Sequence, residues 1–339
     1  MESAHLEPLE PTLAHASLAA AARDFDVLFG GIADVRLASG SSRLARLVRK
    51  DLIEDKNLCE VARNDAASLL RRAPANGVEK ADLFRRIRSC ADEERRLEEV
   101  IQTELLPQHG PSQFIGPRVF LQTALFRVAG KQLARQGAIS LVLLAQPQVT
   151  YRGPELRQSD GLVFASLLHM ARDVRLGTGV SFHAEAVCRL LFGRYDGNTR
   201  RQLREHIHRL QSGVVVFNTF SVQLCLRFEY PSRGRWSVAL DPHILTLFQG
   251  NTHVWLDMAT RIQLPEGLPS WLYCYVRSQS RLIPMDLELL RRHCGSDAAP
   301  KAFMNGMRLA LQQLALRGVV APGWSLGAGK VRWMKGPNG

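Results

Sequence analysis

The chain has no apolar run long enough to cross a membrane. Its most apolar short stretch, Ile139 to Ala145, falls far below the ~20 residues a spanning helix requires, so no membrane partner is expected. The acidic start, Met1-Glu2-Ser3-Ala4-His5-Leu6-Glu7, has no basic segment leading into an apolar one, so a secretory signal is not expected. Cysteines are few and never paired as C-x-x-C. Cys59, Cys90, Cys188, Cys225, Cys274 and Cys294 are scattered in a way that suits neither a zinc ribbon nor a disulfide framework, and they read as reduced, buried thiols of a cytoplasmic protein. Catalytic sequence patterns are missing too. There is no phosphate-cradling G-x-x-x-x-G-K-S/T, and neither H-E-x-x-H nor G-x-S-x-G occurs. No catalytic residue, metal or cofactor is expected.

Lysine is scarce: 37 of the 44 basic residues are arginine, the side chain whose planar fork matches phosphate and guanine. The net charge of +12 is unevenly placed. Residues 1–110 carry 16 basic and 19 acidic side chains, whereas residues 111–339 carry 28 and 13. The whole positive field therefore belongs to the last two-thirds of the chain, which points that part at a polyanion.

At 339 residues, with 46% apolar and 22% charged side chains, two or three ordinary folded domains are expected. Ala73-Pro74-Ala75-Asn76-Gly77 separates two helical stretches. Leu106-Pro107-Gln108-His109-Gly110-Pro111 is the better domain boundary, because the charge balance changes there. Between them Leu83, Ile87, Cys90, Leu97, Ile101 and Leu105 recur at steps of three, four and seven, which predicts an amphipathic helix over Glu79–Leu106. Packing on its own neighbours and self-association both account for that stripe. Beyond the boundary, Leu141–Leu144 and Val149–Tyr151 read as strands with Pro147 between them, and Ser159-Asp160 opens a helix.

An internal similarity carries the most information. Glu185–Leu191 is a short helical pattern ended by Gly193, followed by a longer one from Asn198 and by Gly213-Val214-Val215. Asp286–Cys294, Gly295, a long pattern from Pro300 and Gly318-Val319-Val320 repeat that order. Strand-like runs follow each: Val214–Phe220, Val222–Phe228 and Trp236–Leu240 in the first, Val319-Val320 and Val331–Trp333 in the second. Helix, turn, longer helix and β-ribbon is the order of a winged helix-turn-helix. Asp241–Leu268 would connect the two, with a helix opening at Asp241-Pro242 and strand-like runs around Trp255 and Ile262.

Turning each residue of Asn198–Gln211 through 100° puts Leu203, Ile207 and Leu210 on one stripe about 60° wide. Arg200, Arg201, Arg204 and His208 fill the neighbouring arc. Such a helix can sit on its domain and still reach guanine or a phosphate, with Asn198 as the expected N-cap and Thr199 beside the backbone phosphates. In the second long helix Phe303, Met307, Leu311 and Leu314 form the inner face, while Lys301, Asn305, Arg308 and Gln312 follow one outer line. Gly306, in mid-helix, marks either close packing or close approach to a duplex. Arg227, Arg233 and Arg235 belong to the first wing, and Lys330, Arg332 and Lys335 to the second.

Two short patterns have competing readings. His206-Ile207-His208 has the histidine spacing of the metal motif in single-strand-nicking rolling-circle initiators, for which Tyr230, Tyr273 or Tyr275 would supply a nucleophile. However, residues i and i+2 on a helix lie ~200° apart. Gln223-Leu224-Cys225-Leu226-Arg227-Phe228 resembles the peptide that bacterial proteins insert into the DNA polymerase sliding clamp, but its alternation is that of a core strand.

Val149-Thr150-Tyr151-Arg152-Gly153-Pro154-Glu155-Leu156-Arg157 followed by a helix, then His208-Arg209-Leu210-Gln211, Leu247-Phe248-Gln249-Gly250 and Cys294-Gly295-Ser296-Asp297, resemble in order the motifs of TrfA-type plasmid replication initiators. Thr123-Ala124-Leu125-Phe126 is similar to the short segment upstream. The resemblance spans roughly residues 114–333 and leaves 1–110 uncovered, with no good counterpart there to that family's clamp-binding peptide. It implies two winged-helix domains that bind repeated origin sequences (iterons) in double-stranded DNA and help to open the adjacent duplex. The host initiator DnaA and the replicative helicase would be partners, a homodimer would be an alternative state, and no enzymatic step would be involved.

The expectation is thus an α+β protein: an all-helical N-terminal region (1–110), a first winged helix-turn-helix domain (111–240) and a second (241–339). Its function would be plasmid replication initiation. A tandem winged-helix transcriptional regulator and a nicking endonuclease using His206 and His208 are the alternatives.

Overall fold

The computed structural model describes residues 49–72, 78–130, 133–144 and 148–339. The acidic N-terminus, the break at 73–77 and Pro147 lie outside the described residues. Helix α1 (Arg49–Arg72) packs against α2 (Val78–Glu104), which is the helix expected over Glu79–Leu106. Lys56–Glu98 at 3.2 Å and Arg63–Glu94 at 3.0 Å bridge the pair. Leu83, Ile87, Cys90, Leu97 and Ile101 are half-buried and Leu105 is buried. Arg49 fastens the hairpin to the body. Its N–H donates to the Asp173 carbonyl at 2.8 Å, and its guanidinium donates to the carbonyls of Leu106 and Arg172.

The body begins with β1 (Gln113–Pro117) and the short α3 (Arg118–Leu121). Next come β2 (Ile139–Leu144), β3 (Val149–Gly153), α4 (Gln158–Met170), β4 (Val180–Phe182), α5 (Ala184–Phe192) and α6 (Gly197–Ser212). Four short strands follow: β5 (Val214–Val216), β6 (Ser221–Gln223), β7 (Arg227–Glu229) and β8 (Trp236–Ala239). A 3₁₀ segment (Pro242–Asn251) leads to the second unit. This comprises β9 (His253–Asp257), α7 (Met258–Gln263), α8 (Leu268–Ser278), β10 (Met285–Asp286), α9 (Leu287–His293), α10 (Pro300–Leu316), β11 (Ser325–Gly327) and β12 (Lys330–Arg332).

The two units repeat one plan. In the first, β4, β8 and β7 form a three-stranded sheet in that order; in the second, β10, β12 and β11 do the same. In both, the strand before the helix pair takes the edge beside the last strand of the hairpin. Gly193 after α5 (φ 71°) and Gly295 after α9 (φ 63°) both adopt the left-handed conformation that ends a helix, which is what the paired glycines mark. The stretch expected to be a mere connection belongs to the repeat as well. Strand β9 and α7 match β1 and α3, and the two strands pair antiparallel with Gln113 opposite Asp257 and Pro117 opposite His253.

Several strand expectations need correction. Val214–Phe220 and Val222–Phe228 do not form a single ribbon. Strands β5 and β6 extend a separate sheet in the order β2-β3-β5-β6, and only β7 and β8 make the hairpin beside β4. The chain crosses from one sheet to the other at Leu224 and Cys225, both fully buried. Ile262 lies in helix α7. Val320 makes only an isolated bridge to Lys335, and the second hairpin forms later in the chain. Through β12 and the residue after it, exposed Lys330 and Arg332 alternate with buried Val331 and Trp333, the two-residue period of a strand with one face on the core.

Two apolar clusters underlie the units. One gathers Phe182, Leu203, Ile207, Leu210 and Trp236, the other Trp271, Phe303, Met307, Leu311 and Leu314. Each such side chain contributes ~1.5–3 kcal/mol by leaving water. Gly306 is turned toward α8, where an added Cβ would meet Leu268 Cδ2 at 3.5 Å, an ordinary contact. Gly306→Ala is therefore expected to raise stability by up to ~1 kcal/mol through helix propensity and a less flexible unfolded chain. A urea melt checks this; a lower midpoint would mean that α8 and α10 lack room for a methyl.

Near the root of the helical hairpin, a fully buried His169 donates from Nδ1 to the Gln113 carbonyl at 2.9 Å. Its Nε2 accepts from Arg172 Nη1 at 2.8 Å. Burial first, then the charge of Arg172, pushes its pKa down to about 2. Burial also lowers that of His109, whose ring centroid lies 5.3 Å away. Because the folded value lies below that of an unfolded histidine, the full stability is present above pH ~6.5 and is lost as pH falls below it. The expected loss is about 2 kcal/mol between pH 6.5 and pH 5 from His169 alone. Denaturation at a series of pH values should show this slope in the wild type and a shallower one in His169→Gln; equal slopes would refute it.

Candidate nucleic-acid interface

Helix α6 is started by Asp196, not by Asn198. The Asp196 carboxylate accepts from Thr199 N at 2.7 Å, and the Thr199 hydroxyl accepts from Asp196 N at 2.9 Å, a reciprocal cap. Thr199 is buried by this arrangement, so its side chain stands in the cap and not on the outer surface. Asn198 is exposed one residue into the helix, with its side-chain oxygen accepting from Arg201 at 2.7 Å.

The four basic positions expected on the outer arc of α6 divide into two kinds. Arg201 and Arg204 are exposed. Arg201 lies 3.8 Å from Glu205, and the Arg204 guanidinium sits over the Tyr230 ring at 5.6 Å. Arg200 faces the hairpin instead. It donates to the carbonyls of Pro231 at 3.1 Å and Ser232 at 2.8 Å and lies over Trp236, which clamps the β7–β8 turn to the helix. His208 fills the space between helix and hairpin, its ring edge-on to Phe228 and Tyr230. Gly197, Arg200, Arg201, Arg204, Tyr230, Ser232 and Trp236 line an open cleft with a basic wall and an aromatic floor. Arg227 and Arg233 are exposed on the hairpin, whereas Arg235 is half-buried and donates to the Ser181 carbonyl at 2.8 Å.

On α10 the outer line is intact. Lys301, Asn305, Arg308 and Gln312 are all exposed, and Arg308 donates to the Asn305 side-chain oxygen at 3.2 Å. Lys330 and Arg332 point outward from β12. Shifting α6 by 104 positions superposes its burial on that of α10. Thr199, Leu203, His206, Ile207 and Leu210 then match Phe303, Met307, Ala310, Leu311 and Leu314, all buried. In that register Arg204 corresponds to Arg308 and Arg201 to Asn305.

The sequence reading missed what holds α6 in place. Asp160 in α4 is fully buried. It accepts from His206 Nδ1 at 2.7 Å, Arg209 Nε at 2.8 Å, Arg135 Nη1 at 2.6 Å and Arg157 N at 2.8 Å. Burial alone would raise its pKa. The hydrogen bond from His206 and the charges of His206, Arg209 and Arg135 outweigh burial and hold the carboxyl far below the usual range. The one available signal was the i, i+3 placement of His206 and Arg209 beside the apolar stripe.

His206 is thus engaged with Asp160 and His208 with the hairpin aromatics, on different sides of the helix. Among the described residues no three His, Cys, Asp or Glu side chains stand close enough to hold a metal ion. In the clamp-like peptide at Gln223–Phe228, Leu226 is exposed but Phe228 is buried and Gln223 half-buried, with Leu224 and Cys225 fully buried between the two sheets, so its matching side chains are not presented together. No described helix is long and apolar enough to cross a membrane.

A mixed helix-and-strand body of two alike units, each displaying an exposed basic helix, is the class this chain represents. The family model described as TrfA protein matches residues 102–328, and the chain belongs to that family, as the resemblance to TrfA-type replication initiators implied. Among solved structures, a crystal structure of selenomethionine derivatives of domains 2 and 3 of RctB is similar at a TM-score of 0.45 and 13% identity, over 65% of this chain and 98% of that one. A second structure of RctB domains 2–3 gives 0.42 and 12%, over 64% and 96%. No curated protein matches the chain.

Proposed function

We propose that the chain is a plasmid replication initiator that binds direct repeats in origin DNA through two winged helix-turn-helix units. In this reading α6 and α10 enter successive stretches of the major groove, and the β7–β8 and β11–β12 hairpins are the wings. The observation that carries it is the repetition: two helices with matching burial, each beside a sheet of the same strand order, each turning cationic side chains outward. The positive charge of residues 111–339 supplies the long-range attraction and counterion release that nucleic-acid binding needs. Origin opening follows from binding energy spent on bending and unstacking the duplex, and the opened strand is where DnaA and the replicative helicase would join. No bond-making or bond-breaking step is assigned to the protein.

The test is a footprint of the full chain on its own plasmid's intergenic DNA at two salt concentrations. Regularly spaced protection over direct repeats is expected. A single protected operator at its own promoter would mean a transcriptional regulator instead, and absence of selective protection at both salts would overturn the reading. Supercoiled plasmid incubated with the protein and Mg²⁺ or Mn²⁺ should stay supercoiled; relaxation would restore the nicking alternative.

A further inference from the structure

The two proposed reading helices are not chemically equivalent, and the difference specifies what the second one reads. In the register that matches their buried faces, the outward side chains of α6 are Asn198, Arg201, Gln202, Arg204 and Glu205, all of them polar or charged. Three of these, Arg201, Arg204 and Glu205, have counterparts larger than alanine on the outer surface of α10. The corresponding positions of α10 are Asn305, Arg308 and Leu309. Leu309 is 60% exposed, although α10 has a complete apolar face of its own on the core. Asn305, Leu309, Gln312 and Leu316 follow one another at i, i+4, i+7 and i+11, and all four are exposed. Amide and apolar side chains therefore alternate along a single outer line of the helix.

That alternation fits one kind of base pair. In the major groove adenine offers an acceptor and a donor that a carboxamide can meet with two bonds, and its partner thymine offers a methyl group that only an apolar surface rewards. Guanine and cytosine are met by guanidinium and carboxylate groups; α6 exposes both kinds and, unlike α10, exposes no large apolar side chain that could meet a methyl.

Resting on the function proposed above, we infer that α10 reads A·T base pairs, with Leu309 packed against a thymine methyl. Leu309 is thereby a specificity-determining residue, and α6 and α10 recognise different halves of each repeat.

The test exchanges thymine for deoxyuracil, which removes the methyl and keeps the pairing. Duplexes carrying one protected repeat are made with thymine or with deoxyuracil in each half in turn, and are titrated with the full-length wild type and with Leu309→Ala. The wild type should bind the duplex substituted in the α10 half about three- to fivefold more weakly, the worth of one buried methyl. Leu309→Ala should bind both duplexes equally, at the weaker affinity. Substitution in the α6 half should matter little to either protein. Equal wild-type affinity for both duplexes would overturn the inference, as would a deoxyuracil penalty that persists in Leu309→Ala. So would a Leu309→Ala defect in self-association with thymine discrimination retained, because Leu309 would then be a protein contact. Each of those outcomes leaves repeat binding intact. Failure of the wild type to prefer any repeat over random DNA would instead remove the proposed function and this inference with it.

Discussion

Replacing Asp160 with Asn is expected to lower the stability of the full chain by ~3–5 kcal/mol, the usual cost of breaking a buried ion network from one side. The carboxylate has no exposure at all, yet three cationic or protonatable side chains and a backbone amide converge on it within 2.8 Å. Asn keeps the shape but loses the charge, and its amide nitrogen brings a donor toward groups that are already donors. His206 and Arg209 are then left desolvated beside a neutral group. Both lie on α6, so the loss should also show as weaker selection among DNA sequences. The same carboxylate sets an acid limit. Its folded pKa lies below the unfolded value, so its contribution is complete above pH ~4 and fades as pH falls through the folded value. Urea melts at pH 7 followed by tryptophan fluorescence check the magnitude. A loss under ~1 kcal/mol would show that Arg135 and Arg209 swing out into water and that the network does not position the helix.

This network shows where legibility ends. The stripes Leu203-Ile207-Leu210 and Phe303-Met307-Leu311-Leu314 could be read at once, because helical periodicity is local and repeats within a dozen residues. Asp160 could be read only as a helix opener, since its partners lie 25, 46 and 49 residues away in the chain. Arg200 looked equivalent to Arg201 and Arg204 because helical angle does not reveal that carbonyls of the β7–β8 turn stand above it. The pairing of β1 with β9 was equally hidden; β1 is buried along nearly its whole length and shows no alternation, and the register is set across about 140 residues of chain. The short family motifs were visible, but their reason was not. Two of them are one junction. Arg127, just after Thr123–Phe126, donates from Nη2 to both oxygens of Asp297 at 2.8 Å. A Cβ at Gly295 would strike Ala124 at 2.9 Å, so a residue that must be glycine for its backbone angle must also be glycine for the packing of the two units.

The largest effect on DNA binding is expected from Arg204→Ala combined with Arg308→Ala. The two residues occupy corresponding positions on α6 and α10, and each should contribute ~1–3 kcal/mol if it reads a base. They sit on different units without shared contacts, so their losses should add to about 2–6 kcal/mol. Both side chains are exposed, and exposed substitutions of this kind leave folding stability nearly unchanged, so a melt separates a binding defect from a folding one. Arg204 has an additional role through Tyr230, because its stacking on that ring limits the directions in which the guanidinium can point before DNA arrives. Anisotropy titrations of a repeat-bearing duplex at two salt concentrations resolve how the loss arises. If the arginines reach bases, selectivity should relax at two positions of the repeat. If they reach only phosphates, every sequence should lose affinity alike and the salt slope should fall by about 2, one unit for each contact. In either case additivity is the decisive quantity. Two linked units gripping one duplex require the double variant to be weaker than the wild type by the sum of the two single losses. A double variant no weaker than the worse single would mean that only one helix engages DNA at a time, and the two-unit mode of binding would have to be abandoned.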